Sequence, residues 1–281
     1  MIELDKTKER TAVIKVSGSL VTTKNPETGM LMPNDAFFRQ LGRSAVNLAE
    51  THNLIVVSSG AIPRAMAHLG MKDKPKKSEE MPELQRLADI GNRLNANSYA
   101  DALDESTAVD ESTAVGVVLL TRSELTEKSE EKARINLMNT LGAHARHGDF
   151  VMANEDDARS YDEIMFGDNA ILSAELGVAL DEHGGFGAVD VVMLGRENGL
   201  LADISDENSV VEIVRDIDEA HEYIDDSGAN ELTNGGMEGK LEAAEILAMG
   251  GLDMVIANGN LESAVELALA GEIGTKFALN G

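Results

Sequence analysis

The chain has 281 residues, with 50 Asp and Glu against 24 Lys and Arg, giving a formal charge of −26. Such a surface repels phosphate backbones and anionic lipid, which argues against nucleic-acid and membrane-surface partners. Cysteine is absent, so disulfides and thiolate metal sites are excluded. The start, Met1-Ile2-Glu3-Leu4-Asp5-Lys6, lacks the basic-then-apolar pattern of a secretion signal. No apolar run approaches the roughly 18 to 20 residues of a membrane span. A cytoplasmic protein is expected. With aromatics at 3% and no tryptophan, its core must be built from Val, Ile, Leu, Ala and Met.

In chain order, a strand is predicted over Ala12 to Val16, then a loop through Asn25, Pro26 and Gly29. Asn34 opens a helix whose apolar stripe is Phe38, Leu41, Ala45 and Leu48. Leu54 to Val57 is a second strand, Lys72 to Glu80 a charged loop, and Pro82 to Leu103 a long helix. Glu105 to Val109 is echoed by Glu111 to Val115, a local duplication and not an architectural repeat. Strands at Gly116 to Leu120 and Phe150 to Ala153 flank a helix from Glu131 to Arg146. A helix capped by Asp168 runs to about Leu180, and Val189 to Leu194 is a further core strand. The acidic stretch from Ser205 to Glu231 suggests a small subdomain or lid, and Met237 to Ala257 closes the pattern with a helix and a strand. Strands alternating with helices predict a mostly parallel sheet with helices on both faces, in one domain.

Three glycine turns sit where a predicted strand or loop enters a helix: Lys15-Val16-Ser17-Gly18-Ser19, Ser58-Ser59-Gly60-Ala61-Ile62 and Gly235-Gly236-Met237-Glu238-Gly239-Lys240. Such turns bring backbone N–H groups close to anionic oxygens, and the following helix adds its positive end. Lys15 and Lys240 supply point charges of the kind that stabilise a moving phosphoryl group. Taken singly, Lys15 also fits an edge lysine before an ordinary turn, and Lys240 a solvated lysine after a hinge. The spacing is not that of a P-loop. Asn154-Glu155-Asp156-Asp157 can hold an ammonium or Mg²⁺, or form a plain solvated loop. The six histidines show no ligand spacing and are assigned to the surface. Neither a Gly-x-Ser-x-Gly elbow nor a Gly-x-Gly-x-x-Gly turn after the first strand is present.

Taken in order, these segments resemble the amino acid kinase superfamily, and within it the glutamate 5-kinases. The resemblance runs from Val13 to the end. It rests on Lys15 and its turn, Ser58 to Ile62 with His68-Leu69-Gly70, Leu119-Leu120-Thr121-Arg122, Asn154-Glu155-x-Asp157-Ala158, Phe166-Gly167-Asp168-Asn169 with Leu172-Ser173-Ala174, Gly199-Leu200, and Gly235-Gly236-Met237 with Lys240. It implies a three-layer α/β/α sandwich over 1–281, with an acidic-substrate half to about residue 185 and a nucleotide half beyond. It also implies that L-glutamate and MgATP are the substrates, with Mg²⁺ carried by the nucleotide and no protein-held metal site. Lys15, Lys240 and Asp168 would be catalytic. Ser59, Gly60, Asn154, Asp157 and Asn169 would hold the acid. Lys15, Gly18, Ser19, Gly195, Arg196, Asn234, Gly235, Gly236, Met237 and Lys240 would hold ATP. Relatives of this kind are homo-oligomers, so a dimer or tetramer is expected, and the RNA-binding-like C-terminal domain of many relatives is expected to be absent.

Four departures from the family pattern stand out: Ser17 for glycine, Asp156 for asparagine, Gly195-Arg196 for Thr-Asp, and Ala170 for the second aspartate of Gly-Asp-Asn-Asp. That aspartate organises the two lysines. Its loss is expected to remove about 2 to 4 kcal/mol of transition-state stabilisation, unless Asp168 substitutes. A kinase for another small acid, and a weak or inactive relative that only binds nucleotide or amino acid, stay open beside the main reading.

Overall fold

The computed structural model describes residues 8–76, 80–107, 114–160, 169–203, 205–225 and 236–280. The first part of the chain forms strand β1 (Arg10–Val16), the single helical turn α1 (Gly18–Val21), and the hairpin of β2 (Thr22–Lys24) and β3 (Leu31–Pro33). Helix α2 (Asp35–Leu48), strand β4 (His52–Ser58), helix α3 (Ala61–Leu69) and helix α4 (Met81–Ser106) follow. Next come strand β5 (Val115–Leu120), helix α5 (Arg122–Thr126), helix α6 (Glu131–His147), strand β6 (Phe150–Glu155) and helix α7 (Asn169–His183). The last elements are β7 (Ala188–Gly195), β8 (Ile213–Val214), α8 (Ile217–Asp225), α9 (Met237–Met249), β9 (Met254–Asn258), α10 (Ala264–Leu269) and β10 (Thr275–Phe277).

Eight strands form one sheet in the order β5-β6-β4-β1-β7-β9-β10-β8, and every neighbouring pair is parallel except β9 with β10. Strand alternation splits the core between the two faces. Ala12, Ile14 and Val16 of β1 join one apolar cluster with α2, α4 and α10. Val13 joins the other, with α6, α7 and α9. The predicted α/β/α sandwich is therefore the observed fold. Lys15 falls on the α7/α9 side by the same alternation.

From β1 the chain first builds outward through β4 to β6 and β5, then crosses to β7 and β9 on the other side. The direction reverses between β1 and β7, and open α/β sheets bind ligands beyond the strand carboxyl ends at such a point.

Most predicted elements are present. Asn34 caps α2 by accepting from the Phe37 N–H, and Phe38, Leu41, Ala45 and Leu48 are buried as the stripe required. Several expectations need correction. The Ser205 to Glu231 stretch is no separate lid where it is described: β8 pairs with β10 on the sheet edge, and Val214 and Ala220 are in the main core. His52 is not on the surface. It is buried on β4, with its ring against Thr51 Oγ1 at 2.8 Å, and burial lowers its pKa despite Asp190 nearby. The hairpin β2–β3, helix α10 and strand β10 carry too few patterned residues to stand out in the sequence. Most of the duplicated Glu105 to Val115 stretch, the Asp168 cap and the Gly235 start of the third turn lie outside the described residues.

Helix α4 owes its seat to two glycines. A Cβ at Gly42 would lie 2.6 Å from the Ala102 carbonyl oxygen, and one at Gly91 would lie 1.8 Å from the Ala61 carbonyl oxygen. Leu84 and Leu87, both fully buried, then fill the α3–α4 seam, each contributing about 1.5 to 3 kcal/mol by burial. Two substitutions should act with opposite sign in urea unfolding. Gly91→Ala should cost about 3 kcal/mol or more, because backbone must move. Gly239→Ala, with open space around its Cβ near the start of α9, should be neutral or stabilise by up to about 1 kcal/mol.

Candidate functional site

The carboxyl ends of β1 and β4 deliver the first two turns to one edge, and the described part of the third, Gly236 to Lys240, opens α9. The ladder runs one residue past the strands: Ser17 N–H donates to Leu194 O at 3.0 Å, and Ser59 N–H to Val16 O at 3.0 Å. Gly60 has a φ of 84°, and a Cβ there would lie 2.7 Å from Gly18 Cα and 2.5 Å from Val21 Cγ2. The first two turns thus touch backbone to backbone, which only glycine permits. The first turn leads into only one helical turn, α1, so the extended helix expected behind it is absent. Helix α3 does begin directly after Gly60.

Beyond β4 and β6 lies a buried amide cluster. Asn169 Nδ2 donates to Ser59 Oγ at 3.0 Å and to Asn154 Oδ1 at 2.9 Å. Asn154 Nδ2 donates in turn to Asn92 Oδ1 at 2.7 Å. This relay brings together Ser59, Asn154 and Asn169, with Gly60 adjoining Ser59. Each amide fixes the orientation of the next, because flipping Asn92 would set N–H against N–H. Asn92 is 3% exposed, and its Nδ2 has no hydrogen-bond acceptor. A buried donor left unmet costs about 1 to 3 kcal/mol, which an anionic oxygen placed there would recover. Asp157 is also buried, and its carbonyl accepts from Gln85 Nε2 of α4 at 2.7 Å. Below the cluster, Ser58 Oγ meets Tyr99 OH at 3.0 Å, and burial pushes the Tyr99 phenol up.

Beyond β1 and β7 lies a cationic cluster. Lys15 and Lys240 are each 6% exposed, on the same face of the sheet. Lys240 Nζ donates to Glu197 Oε2 at 3.2 Å. A Cβ on Gly195 would lie 2.3 Å from that carboxylate and 3.4 Å from that ammonium, so the pair rests on the end of β7. Glu197 also feels the charge of Lys15. Arg196 donates to the Ser19 carbonyl at 2.8 and 3.2 Å, fastening the β7 turn to the first glycine turn. Gly236 and Met237 are half-buried at the start of α9, one turn before Lys240. Asp168, Asn234 and Gly235 lie outside the described residues. Ala170 sits within the apolar core cluster with Leu172 and Leu241.

The amino acid kinase family model matches residues 10–258. The chain belongs to that family. It is similar to a glutamate 5-kinase of Clostridium acetobutylicum, 32% identical over 260 residues, which span 90% of this chain and 88% of that protein. It is similar also to a glutamate 5-kinase of Carboxydothermus hydrogenoformans, 31% identical, over 95% of this chain and 68% of that protein. Among solved structures, carbamate kinase from Giardia lamblia bound to AMP-PNP shares the fold at a TM-score of 0.56 and 12% identity, over 96% of this chain and 98% of that one.

Asn92 and Glu197 were not picked out by the sequence reading. Asn92 had a signal: it interrupts the buried stripe of α4, where Leu84, Leu87, Ala88, Tyr99 and Leu103 are apolar. Glu197 had a weaker one, an acid just past a buried strand. Burial raises the Glu197 pKa, but Lys240, its own backbone N–H and Lys15 outweigh this and hold it below the ordinary 4.5. The unfolded chain therefore binds the extra proton. Stability from this pair is present above about pH 4.5 and is lost as pH falls through the lower folded value. The stability difference between the natural chain and Glu197→Gln should accordingly shrink as pH falls below about 4.5 in urea melts. A difference that stays constant with pH would mean that the ion pair is not formed.

Proposed function

We propose that this protein transfers the γ-phosphoryl group of MgATP to the side-chain carboxylate of L-glutamate, giving L-glutamyl 5-phosphate and ADP, as in the first step of proline synthesis. The observation that carries this reading is that two buried ammoniums, from β1 and α9, lie on one face of the sheet at its switch point, with Lys240 paired to Glu197. A glutamate carboxylate oxygen attacks the γ-phosphorus, and the bond to the bridging oxygen breaks with its electron pair leaving on ADP. A carboxylate is already ionised at neutral pH and needs no general base, so positioning and charge stabilisation supply the catalysis.

Lys15 and Lys240 face the transferring group. Ser59, Gly60, Asn154, Asp157 and Asn169 hold glutamate, with Asp157 suited to its ammonium and the amide cluster to its carboxylates. Gly18, Ser19, Gly195, Arg196, Gly236 and Met237 line the nucleotide side. Asp168, Asn234 and Gly235 take their catalytic and nucleotide roles from the sequence pattern alone. Among the described residues no group of three or more acidic or histidine side chains forms a metal cage. Mg²⁺ arrives as part of the nucleotide, held mainly by phosphate oxygens and water. In this reading residues to about 185 serve the acid and those beyond serve the nucleotide. The glutamate 5-kinases similar to this chain support the choice of acid. The protein should also self-associate. Val117 and Leu119, on the α4 side of edge strand β5, are 49% and 37% exposed, and an uncovered apolar edge favours pairing. No helix among the described residues is long and apolar enough to cross a membrane.

Incubation with MgATP, glutamate and hydroxylamine should yield glutamate-dependent hydroxamate, and Lys240→Ala should lower kcat by about 100-fold. ATP binding without any glutamate-dependent product would favour a binding protein over a kinase. Separately, Asn92→Ala should raise KM for glutamate about tenfold and leave KM for ATP unchanged, the size expected for one lost hydrogen bond to a charged group. An equal rise in both constants would place Asn92 outside the acid pocket.

A further inference from the structure

Two buried ammoniums that face one place repel each other, and each loses hydration there. A carboxylate beside such an ammonium helps keep it protonated and aimed before a phosphate arrives. The described residues place the Glu197 carboxylate on Lys240, within range of the Lys15 charge. Its Oε2 accepts from Lys240 Nζ at 3.2 Å, and both atoms pack onto the backbone of Gly195, at the end of β7. Strand β7 lies beside β1 in a register that sets Lys15 opposite Met193, two residues before Gly195.

We propose that Glu197 is the positioning residue of the phosphoryl-transfer site, holding one N–H of the Lys240 ammonium so that its two remaining donors point to the place it shares with Lys15. An ammonium carries three donors, and occupying one fixes the directions of the others. Glu197 is half-exposed, at 52% of its side chain, whereas Lys240 is buried. The carboxylate therefore sits at the mouth of the site with the cation beneath it. This geometry has two opposed consequences. The carboxylate repels an incoming triphosphate, and it aims the cation that the triphosphate needs. Removing its charge should therefore tighten nucleotide binding while slowing turnover, a split that a merely structural residue would not produce.

The inference rests on the kinase reading, and the test separates the two. In the full chain, Glu197→Gln should lower kcat about tenfold or more, with KM for glutamate changed less than about twofold. By calorimetry it should bind MgATP about threefold more tightly, the scale of relieving one partly solvated charge repulsion. Glu197→Asp, which keeps the charge on a shorter stem, should recover part of the rate. Weaker MgATP binding in Glu197→Gln would make Glu197 a ligand of the nucleotide or its metal, and would overturn the proposal. An unchanged kcat would also overturn it, as would an Asp variant as slow as the Gln variant. If the natural chain shows no glutamate-dependent turnover, the kinase reading fails while the MgATP affinity comparison still decides the role of Glu197.

Discussion

Two lysine ammoniums held out of water, at one edge of a protein carrying a charge of −26, are the constraint around which the rest is arranged. Each costs several kcal/mol of hydration unless an anion stands beside it. The overall field raises the local concentration of cations and lowers that of nucleotide, so the anion site must be made by short-range contacts. The structure answers with position. One lysine comes from the end of the central strand, the other from the first turn of a helix packed on the same face. Glu197, two residues past the end of β7, pairs with Lys240. Ala170, where the family pattern would place an aspartate, is an apolar core position, and on the present proposal Glu197 past the end of β7 supplies a carboxylate instead.

The scaffold makes this possible through close backbone approaches more than through extra bonds. Gly60 lies against Gly18, Gly91 against Ala61, and Gly42 against Ala102, each too near for a side chain. These contacts draw the first turn, the second turn and helix α4 into one compact edge. That helix carries Asn92, so the same packing that seats it also completes the amide relay through Asn154 and Asn169. Fold and pocket are thus set by the same few residues. The lysine cluster and the amide cluster lie side by side because β4, β1 and β7 are neighbours in the sheet.

Much of this was legible in the sequence because it was written in period and punctuation. The core strands announced themselves as apolar runs, and α2 as a stripe behind an Asn cap. Lys15, Ser59, Asn154, Asn169 and Lys240 stood out beside glycine turns or at strand ends, where side chains reach a common edge. What was not legible depends on contacts between distant segments. His52 looked polar and exposed, yet the flanking strands cover it. The pairing of β8 with β10 joins short segments with little pattern of their own. Glu197 resembled any surface acid on an acidic protein, since no local spacing reveals that a lysine 43 residues away lies beneath it.

The central claim is that Lys15 and Lys240 grip a single phosphoryl group. A crystal structure with Mg²⁺ and a non-hydrolysable ATP analogue tests it directly. The account predicts both Nζ atoms within about 3 Å of oxygens on the same terminal phosphate. A terminal phosphate that meets only one of them, or neither, would contradict it.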